Sequence, residues 1–275
     1  MADFETVILE KMEEEHIAKI SLNRPERLNA FNPQMQDEFT QAIEDVDQDD
    51  NMRVLIVTGV GRGFCSGADV GGLGQQDQGG EQSRHSGRYP DQLRRNFKHV
   101  QRFILGLQRL EKPVIGMVNG VAVGAGFDLA AACDIRIGSP NSRFMVAFIK
   151  VGLFPGYGGT WLYPRVLNNV GKAAELLFTG DFLESEDALK NGALNHLVPA
   201  EELEDFTMEM ARKIAAGPPI AMRLAKMLLY KGLEMDLETA MLMAATAESI
   251  TLTSEDHVEG IAAFKERRAA NFVGR

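Results

Sequence analysis

The chain has 275 residues, of which 45% are hydrophobic and 25% charged, and this composition suits a folded protein with a substantial core. Its formal net charge of −10 argues against nucleic acid or an anionic membrane as the main partner. Two isolated cysteines exclude a disulfide scaffold and a zinc-site spacing, and they predict a reduced, cytoplasmic protein. The first residues do not form a basic-then-apolar leader, and no apolar run reaches about 18 residues. We therefore expect neither a signal peptide nor a membrane span.

Short apolar strands alternate with helices in the first part of the chain. Apolar residues recur at every second position in the strands and at every third or fourth position in the helices. The predicted elements, in chain order, are a strand over 16–22, a helix over 33–46, a strand over 54–57, a helix over 95–110, a strand over 113–118, a helix beginning at 128, and strands over 134–137 and 143–147. Strands separated by helices predict crossover connections and a largely parallel α/β fold.

Two further segments differ in character from this α/β part. Residues 71–90 are rich in Gly, Gln, Ser and Arg, which predicts a mobile loop. After about residue 201 the pattern is almost wholly helical, with helices predicted over 203–215, 221–231, 237–250 and 258–271. The chain is therefore predicted to consist of an α/β core over 1–200, which contains the site, and a helical region over 201–275.

Two glycine-rich turns each follow an apolar strand and open toward a helix. The turns have the sequences GRGFCSGAD over 61–69 and NGVAVGAGFD over 119–128. Backbone N–H groups in such turns have no intrahelical partner and can stabilise a developing anion. Ordinary tight turns would have the same composition. Neither turn has the spacing of a P-loop, of a dinucleotide-binding fingerprint or of a hydrolase elbow.

Five blocks of sequence resemble the signatures of the crotonase (enoyl-CoA hydratase/isomerase) superfamily and occur in the order found in that family. The blocks are residues 22–30 (LNRPERLNA), 64–69 (FCSGAD), 112–120 (KPVIGMVNG), 155–160 (PGYGGT) and 263–272 (AFKERRAANF). The resemblance implies a spiral of repeated ββα turns with a C-terminal helical trimerisation region. It also implies a homotrimer or a dimer of trimers, and an acyl-CoA thioester substrate that itself contains the coenzyme A, so that no separate cofactor or metal is expected.

The same resemblance implies roles for individual positions. The oxyanion donors fall on the backbone N–H groups of Ala68 and Ala125. Asp69, one of the positions near coenzyme A, could equally serve as a turn cap. The positions implied for substrate binding are Arg27, Leu28, Phe64, Ser66, Asp69, Val70, Phe148, Pro155, Gly156 and, for a coenzyme A phosphate, Arg267.

The acid–base residues depart from the pattern of the family. Hydratases of this family use two glutamates, and these positions hold Asp128 and Phe148. A phenyl ring cannot transfer a proton, so Phe148 is either a pocket wall or core packing. Asp128 is either the single acid/base or a carboxylate that stabilises a helix N-terminus, where the dipole would favour its ionised form. Gly156 stands where some relatives have a further aspartate.

Other groups could replace the missing glutamate, and the sequence leaves two classes of function open. His85, in the predicted loop, suits proton transfer near neutral pH but is equally a solvated surface residue. Tyr157, Trp161 and Lys150 lie near the altered position and are also consistent with structural roles. The first hypothesis is an enzyme that isomerises, decarboxylates or cleaves an acyl-CoA through one base. The alternative is an acyl-CoA-binding protein without catalytic activity.

Overall fold

The computed structural model describes residues 4–69 and 89–275. Within these residues the strands are β1 (Val7–Met12), β2 (Ile17–Leu22), β3 (Val54–Gly59), β4 (Gly63–Cys65), β5 (Val114–Val118), β6 (Val121–Val123), β7 (Ile135–Gly138), β8 (Arg143–Met145), β9 (Phe182–Leu183) and β10 (His196–Leu197). The helices are α1 (Pro33–Asp47), α2 (Tyr89–Val100), α3 (Arg102–Arg109), α4 (Ala125–Ala132), α5 (Gly159–Val166), α6 (Val170–Thr179), α7 (Ser185–Lys190), α8 (Leu203–Ala215), α9 (Pro219–Gly232), α10 (Leu237–Leu252) and α11 (Glu255–Glu266).

Two sheets organise the α/β part. The larger sheet has the order β1-β2-β3-β5-β7-β10 and is parallel except for the β1–β2 pair, while the smaller sheet has the order β4-β6-β8-β9. The consecutive pairs β3–β4, β5–β6 and β7–β8 each contribute their first strand to the larger sheet and their second strand to the smaller one. A helix follows each pair, so the predicted α/β fold of ββα units is confirmed.

Alternation along the strands of the larger sheet separates two apolar layers. Side chains such as Ala18, Leu55 and Val57 pack in a core with α1, α3 and α4. Their neighbours Ile17 and Ile56 point to the opposite face, as the two-residue period of a strand requires, and pack with α8. Both faces of the sheet are therefore covered, which explains why its strands are almost continuously apolar.

Helix α9 is fastened to the α/β part by a buried polar cluster. The Lys226 ammonium lies 2.8 Å from Asp134 Oδ2, and the Tyr230 hydroxyl donates to Asp134 Oδ1 at 2.6 Å. Asp134 also accepts from the backbone N–H of Val114 at 2.6 Å, which ties the cluster to β5. Because a lone charge in this position would be costly, the ion pair fixes where α9 sits.

The helical region differs in detail from its predicted boundaries. Helix α8 packs on the larger sheet, whereas α9, α10 and α11 pack against one another at several points and expose many apolar side chains. Helix α11 begins three residues earlier than predicted because the Ser254 side chain accepts from the N–H of His257 and caps it. None of the described helices is long and apolar enough to cross a membrane.

Candidate active site

The two glycine-rich turns meet side by side because their short strands pair. β4 and β6 are parallel neighbours in the smaller sheet, and each is followed by a glycine with positive φ, Gly67 at 97° and Gly124 at 54°. A Cβ placed on Gly67 would lie 2.7 Å from the carbonyl oxygen of Val123 and 3.6 Å from the backbone nitrogen of Ala125. Only glycine permits this approach, so the sequence GAD brings the backbone of residues 67–68 against the start of α4.

The N–H groups of Ala68 and Ala125 are held in fixed positions by the surrounding backbone but donate no hydrogen bond among the described residues. The N–H of Phe31 donates to Gly67 O at 2.7 Å, and the N–H of Asp69 donates to Phe31 O at 2.9 Å. Because N–H groups of an extended chain alternate in direction, the N–H of Ala68 faces away from Phe31. Ala125 is the first residue of α4, where an N–H has no intrahelical partner. Within the described residues, neither N–H has an acceptor.

Asp128 lies one helical turn beyond Ala125 on the same face of α4. Its side chain is fully buried, and burial raises its pKa to about 7, although the nearby Tyr163 hydroxyl acts to lower the pKa. Burial of Asp128 therefore acts against the ionised form that the start of a helix was expected to favour. A carboxyl that titrates near neutrality is suited to both accepting and donating a proton.

Phe148 belongs to an aromatic wall, which we define as Phe97, Phe103, Phe148 and Tyr157. A Cβ on Gly124 would lie 3.7 Å from Phe148 Cζ, so the half-buried ring covers the turn that precedes Ala125. The ring stacks on Tyr157 with centroids 6.3 Å apart and an interplanar angle of 24°. Tyr157 in turn lies 6.0 Å from Phe103 and 6.4 Å from Phe97. The side of the site at which the family pattern places a second carboxylate is therefore apolar.

Two other predicted substrate residues, Pro155 and Gly156, lead into this wall. A Cβ on Gly156 would lie 2.9 Å from a ring carbon of Phe97, and Gly156 O accepts from the Gln101 side chain at 2.6 Å. Tyr157 also lines a cavity of about 590 Å³ between α3, α5 and α9. Gln101 separates α2 from α3, which together replace the single helix predicted over 95–110.

The residues predicted near coenzyme A have different degrees of exposure. Arg27 is exposed and Leu28 partly exposed, and Leu28 packs beside Gly63. Ser66 donates its hydroxyl to Arg27 O at 3.1 Å, so residues 27, 28 and 66 lie together. The Phe64 side chain, by contrast, is fully buried in the core, which leaves only its backbone available to a ligand.

Asp69 pairs with a residue that the sequence patterns did not single out. The Arg24 guanidinium lies 2.9 Å from Asp69 Oδ2 and also donates to Ala30 O at 2.6 Å. This ion pair braces the segment that follows Ala68 against the loop before α1. Its signal in the sequence was the arginine inside the block 22–30, although nothing local connects that residue with position 69.

The remaining predicted positions lie apart from this group. Arg267 is exposed at the end of α11 in a left-handed conformation, and within the described part of the chain no hydrogen bond or ion pair joins it to the two turns. Val70 and residues 71–88 of the predicted loop over 71–90, with His85 among them, lie outside the described residues. Residues 89 and 90 do not belong to a loop, because they begin α2. Among the side chains that are described, no group of three His, Cys, Asp or Glu residues is arranged to hold a metal ion.

Comparisons with known proteins agree with this architecture. The sequence profile of the Enoyl-CoA hydratase/isomerase family matches residues 12–275. The crotonyl-CoA hydratase of Syntrophomonas wolfei is 34% identical over 273 residues, which is 99% of each chain. The 1,2-epoxyphenylacetyl-CoA isomerase of Escherichia coli is 35% identical over 262 residues, covering 95% of this chain and 97% of that protein.

A solved structure extends the likeness to three dimensions. The crystal structure of an enoyl-CoA hydratase from Bacillus anthracis superposes with a TM-score of 0.89 at 31% identity, over 98% of this chain and 100% of the other. Identity at this level across whole chains shows common descent and a shared fold. The chain is an acyl-CoA enzyme of this general type and belongs to the enoyl-CoA hydratase/isomerase family, within the crotonase superfamily.

Proposed function

We propose that the protein moves a double bond within an enoyl-CoA thioester through an enolate, with Asp128 as the single acid/base. The N–H groups of Ala68 and Ala125 would donate to the thioester oxygen as it gains negative charge. The observation that supports this most directly is the side-by-side position of two N–H groups that have no acceptor among the described residues, with a buried carboxyl one helical turn beyond Ala125. Donors fixed before reaction stabilise an oxyanion without reorganisation.

The aromatic wall favours isomerisation over hydration. Addition of water across a double bond in this family uses two carboxylates, and the second position is occupied by Phe148, which excludes a base from that side. A single carboxyl that titrates near pH 7 can remove a proton from one carbon of the enolate precursor and return it to another. Decarboxylation or a lyase step would use the same donors and belongs to the same class of chemistry.

The remaining substrate residues are proposed to bind coenzyme A. Arg27, Leu28, Ser66 and Asp69, with Val70, would contact the adenine and pantetheine, and Arg267 would provide a cation for a phosphate. Clustering of residues 27, 28 and 66 beside the first turn supports the first part of this assignment. The two relatives described above are a hydratase and an isomerase, so experiment must distinguish the two reactions for this protein.

The first experiment is to offer the purified protein unconjugated 3-enoyl-CoA and conjugated 2-enoyl-CoA esters of several lengths. We expect formation of the conjugated ester, with solvent deuterium incorporated at its γ-carbon, at rates at least about 10²-fold above hydration, because one base serves proton transfer better than water addition. Efficient hydration of crotonyl-CoA would refute the single-base proposal. Chromatography with mass detection measures both products.

Phe148→Glu should create hydratase activity if the rest of the pocket accommodates a water molecule. We expect crotonyl-CoA hydration to rise by at least about 10-fold, since a positioned carboxylate supplies general acid–base catalysis. The matched control is Phe148→Gln, which has nearly the same shape but cannot transfer a proton. Equal gains in both variants would show that the removed ring had only blocked water.

A binding protein without turnover is the second candidate, and the full burial of the Asp128 side chain is the observation that favours it. It predicts binding of acyl-CoA esters with neither deuterium incorporation nor product over the whole ester panel. Calorimetric titration with a non-reactive saturated acyl-CoA separates this outcome from a protein that fails to bind at all.

We also propose assembly into trimers, or dimers of trimers, through the helical region. Large apolar side chains on α9, α10 and α11 remain exposed in the single chain, among them Leu237 at 75% and Phe264 at 86%. So many exposed large apolar side chains on successive helices favour a subunit interface. Light scattering coupled to size exclusion tests the proposal, since a monomeric mass would contradict it.

A further inference from the structure

Two buried polar groups beside the proposed oxyanion turn lack hydrogen-bond partners. Both carboxylate oxygens of Asp128 and the hydroxyl of Tyr163 have no partner among the described residues. Each of the two side chains is fully buried. Buried polar groups in folded proteins are nearly always hydrogen-bonded, so a pair of unsatisfied groups at one place requires an explanation.

The two groups lie on either side of one small space. A Cβ placed on Gly159 would lie 2.6 Å from Asp128 Oδ1, 2.5 Å from Tyr163 Cε2 and 2.7 Å from Tyr163 Cζ. The phenol ring is fixed by stacking on Phe127, with centroids 4.5 Å apart and an interplanar angle of 22°. The absence of a side chain at Gly159 therefore leaves the space between a carboxylate on α4 and a phenol on α5 open.

We propose that Tyr163 is a positioning residue for Asp128, whose hydroxyl donates to the carboxylate when it is ionised and holds it in one orientation. This rests on the proposed function, in which Asp128 is the acid/base. The donor would stabilise the base form without competing for the substrate proton, because a phenol that keeps its own proton only donates. Glycine would be required at position 159, because any side chain there would separate the Asp128 carboxylate from the Tyr163 phenol.

The electrostatics of the pair agree with this role. Burial raises the pKa of Asp128 and Tyr163 acts in the opposite direction, while burial and the carboxylate keep the pKa of Tyr163 well above its usual value. The phenol is thus a donor throughout the neutral range. The other titratable or charged side chains on the described elements around α4 are Cys65 on β4, Tyr157 before α5, and the exposed Arg102, Arg109 and Arg165.

The test is Tyr163→Phe, which keeps the ring and its stacking on Phe127 but removes the hydroxyl. Without the donor the ionised carboxylate is less favoured, so the acidic limb of the pH profile of kcat/KM should move up by about one to two pH units. Activity at pH 6 should fall by about 10-fold or more, while the alkaline plateau should stay within about threefold of the wild type. A purely structural tyrosine would lower activity equally at every pH.

Tyr230→Phe is the matched control, because it also removes a buried hydroxyl but one that donates to Asp134. The acidic limb of its pH profile should stay at the wild-type pH. A shift as large as that in Tyr163→Phe would overturn the proposal. A readout independent of turnover is the infrared band of the protonated Asp128 carboxyl, assigned by its loss in Asp128→Asn and titrated in each variant. If no ester is turned over, the proposed function fails, while this band still decides the role of Tyr163. An unchanged midpoint in Tyr163→Phe would overturn that role.

Discussion

Asp128→Asn should reduce the rate of double-bond isomerisation by about 10³-fold, because it removes the proposed acid/base beside the N–H groups of the two turns. The amide has nearly the same size as the carboxyl, so binding of a saturated acyl-CoA should change by less than about threefold, a difference well below one factor of ten in affinity. Steady-state kinetics and calorimetry give the two numbers separately. Retention of more than a tenth of the wild-type rate would assign the proton transfer to another group.

The same substitution should alter how stability depends on pH. In the wild type, burial raises the pKa of Asp128 from 3.8 to about 7, so the native state binds its proton more tightly than the unfolded state does. The stability that this provides is complete below pH 4 and is lost as pH rises through 7. Asparagine has no such titration. The free energy of unfolding of the variant minus that of the wild type should therefore be larger at pH 8 than at pH 4 by up to about 4 kcal/mol. Urea denaturation at the two pH values measures this; a constant difference would show that the carboxyl is solvated.

Asp134→Ala should lower the free energy of unfolding by about 3–5 kcal/mol, because it leaves the buried Lys226 ammonium without its counter-charge. The lysine would keep two carbonyl partners, Leu107 O at 3.3 Å and Lys112 O at 2.9 Å, but the Tyr230 hydroxyl and the Val114 N–H would each lose an acceptor. Urea denaturation followed by the fluorescence of the single tryptophan, Trp161, at one fixed protein concentration gives the value.

A matched control for this prediction is Glu15→Ala, which removes the exposed partner of Arg212 at 2.6 Å. Because that pair is solvated, we expect a loss of less than about 1 kcal/mol. If Asp134→Ala were as mild as the control, the ion pair would not be what holds α9 in place.

The course of the chain could be predicted from the sequence wherever a pattern extends over several residues. The helix 33–46 and the strand 16–22 show clear periods and occur nearly as predicted. β4 and β6 were predicted only as turns, since three residues flanked by glycine are too few for any alternation to show. Yet these strands are what align the N–H groups of Ala68 and Ala125.

The chemistry of the site could be predicted in part. The sequence blocks indicated which positions would form the two turns, and Phe148 showed that a second carboxylate is absent from its expected position. The raised pKa of Asp128 could not be predicted, because it comes from burial by segments that are distant in the sequence. The helix dipole, by contrast, can be anticipated from the local sequence. Tyr163 was missed for a similar reason, since it lies 35 residues after Asp128 and meets it only across two packed helices.

The proposed oxyanion donors at positions 68 and 125 belong to the main chain, and every amino acid except proline supplies the same group. Point mutation could therefore exchange neighbouring proton-transfer side chains, as proposed for positions 128 and 148, without removing the groups that would activate the carbonyl. Related proteins with the same two turns could therefore acquire different reactions through single substitutions. Only substitution by proline or a change in the path of the backbone would remove the two N–H groups.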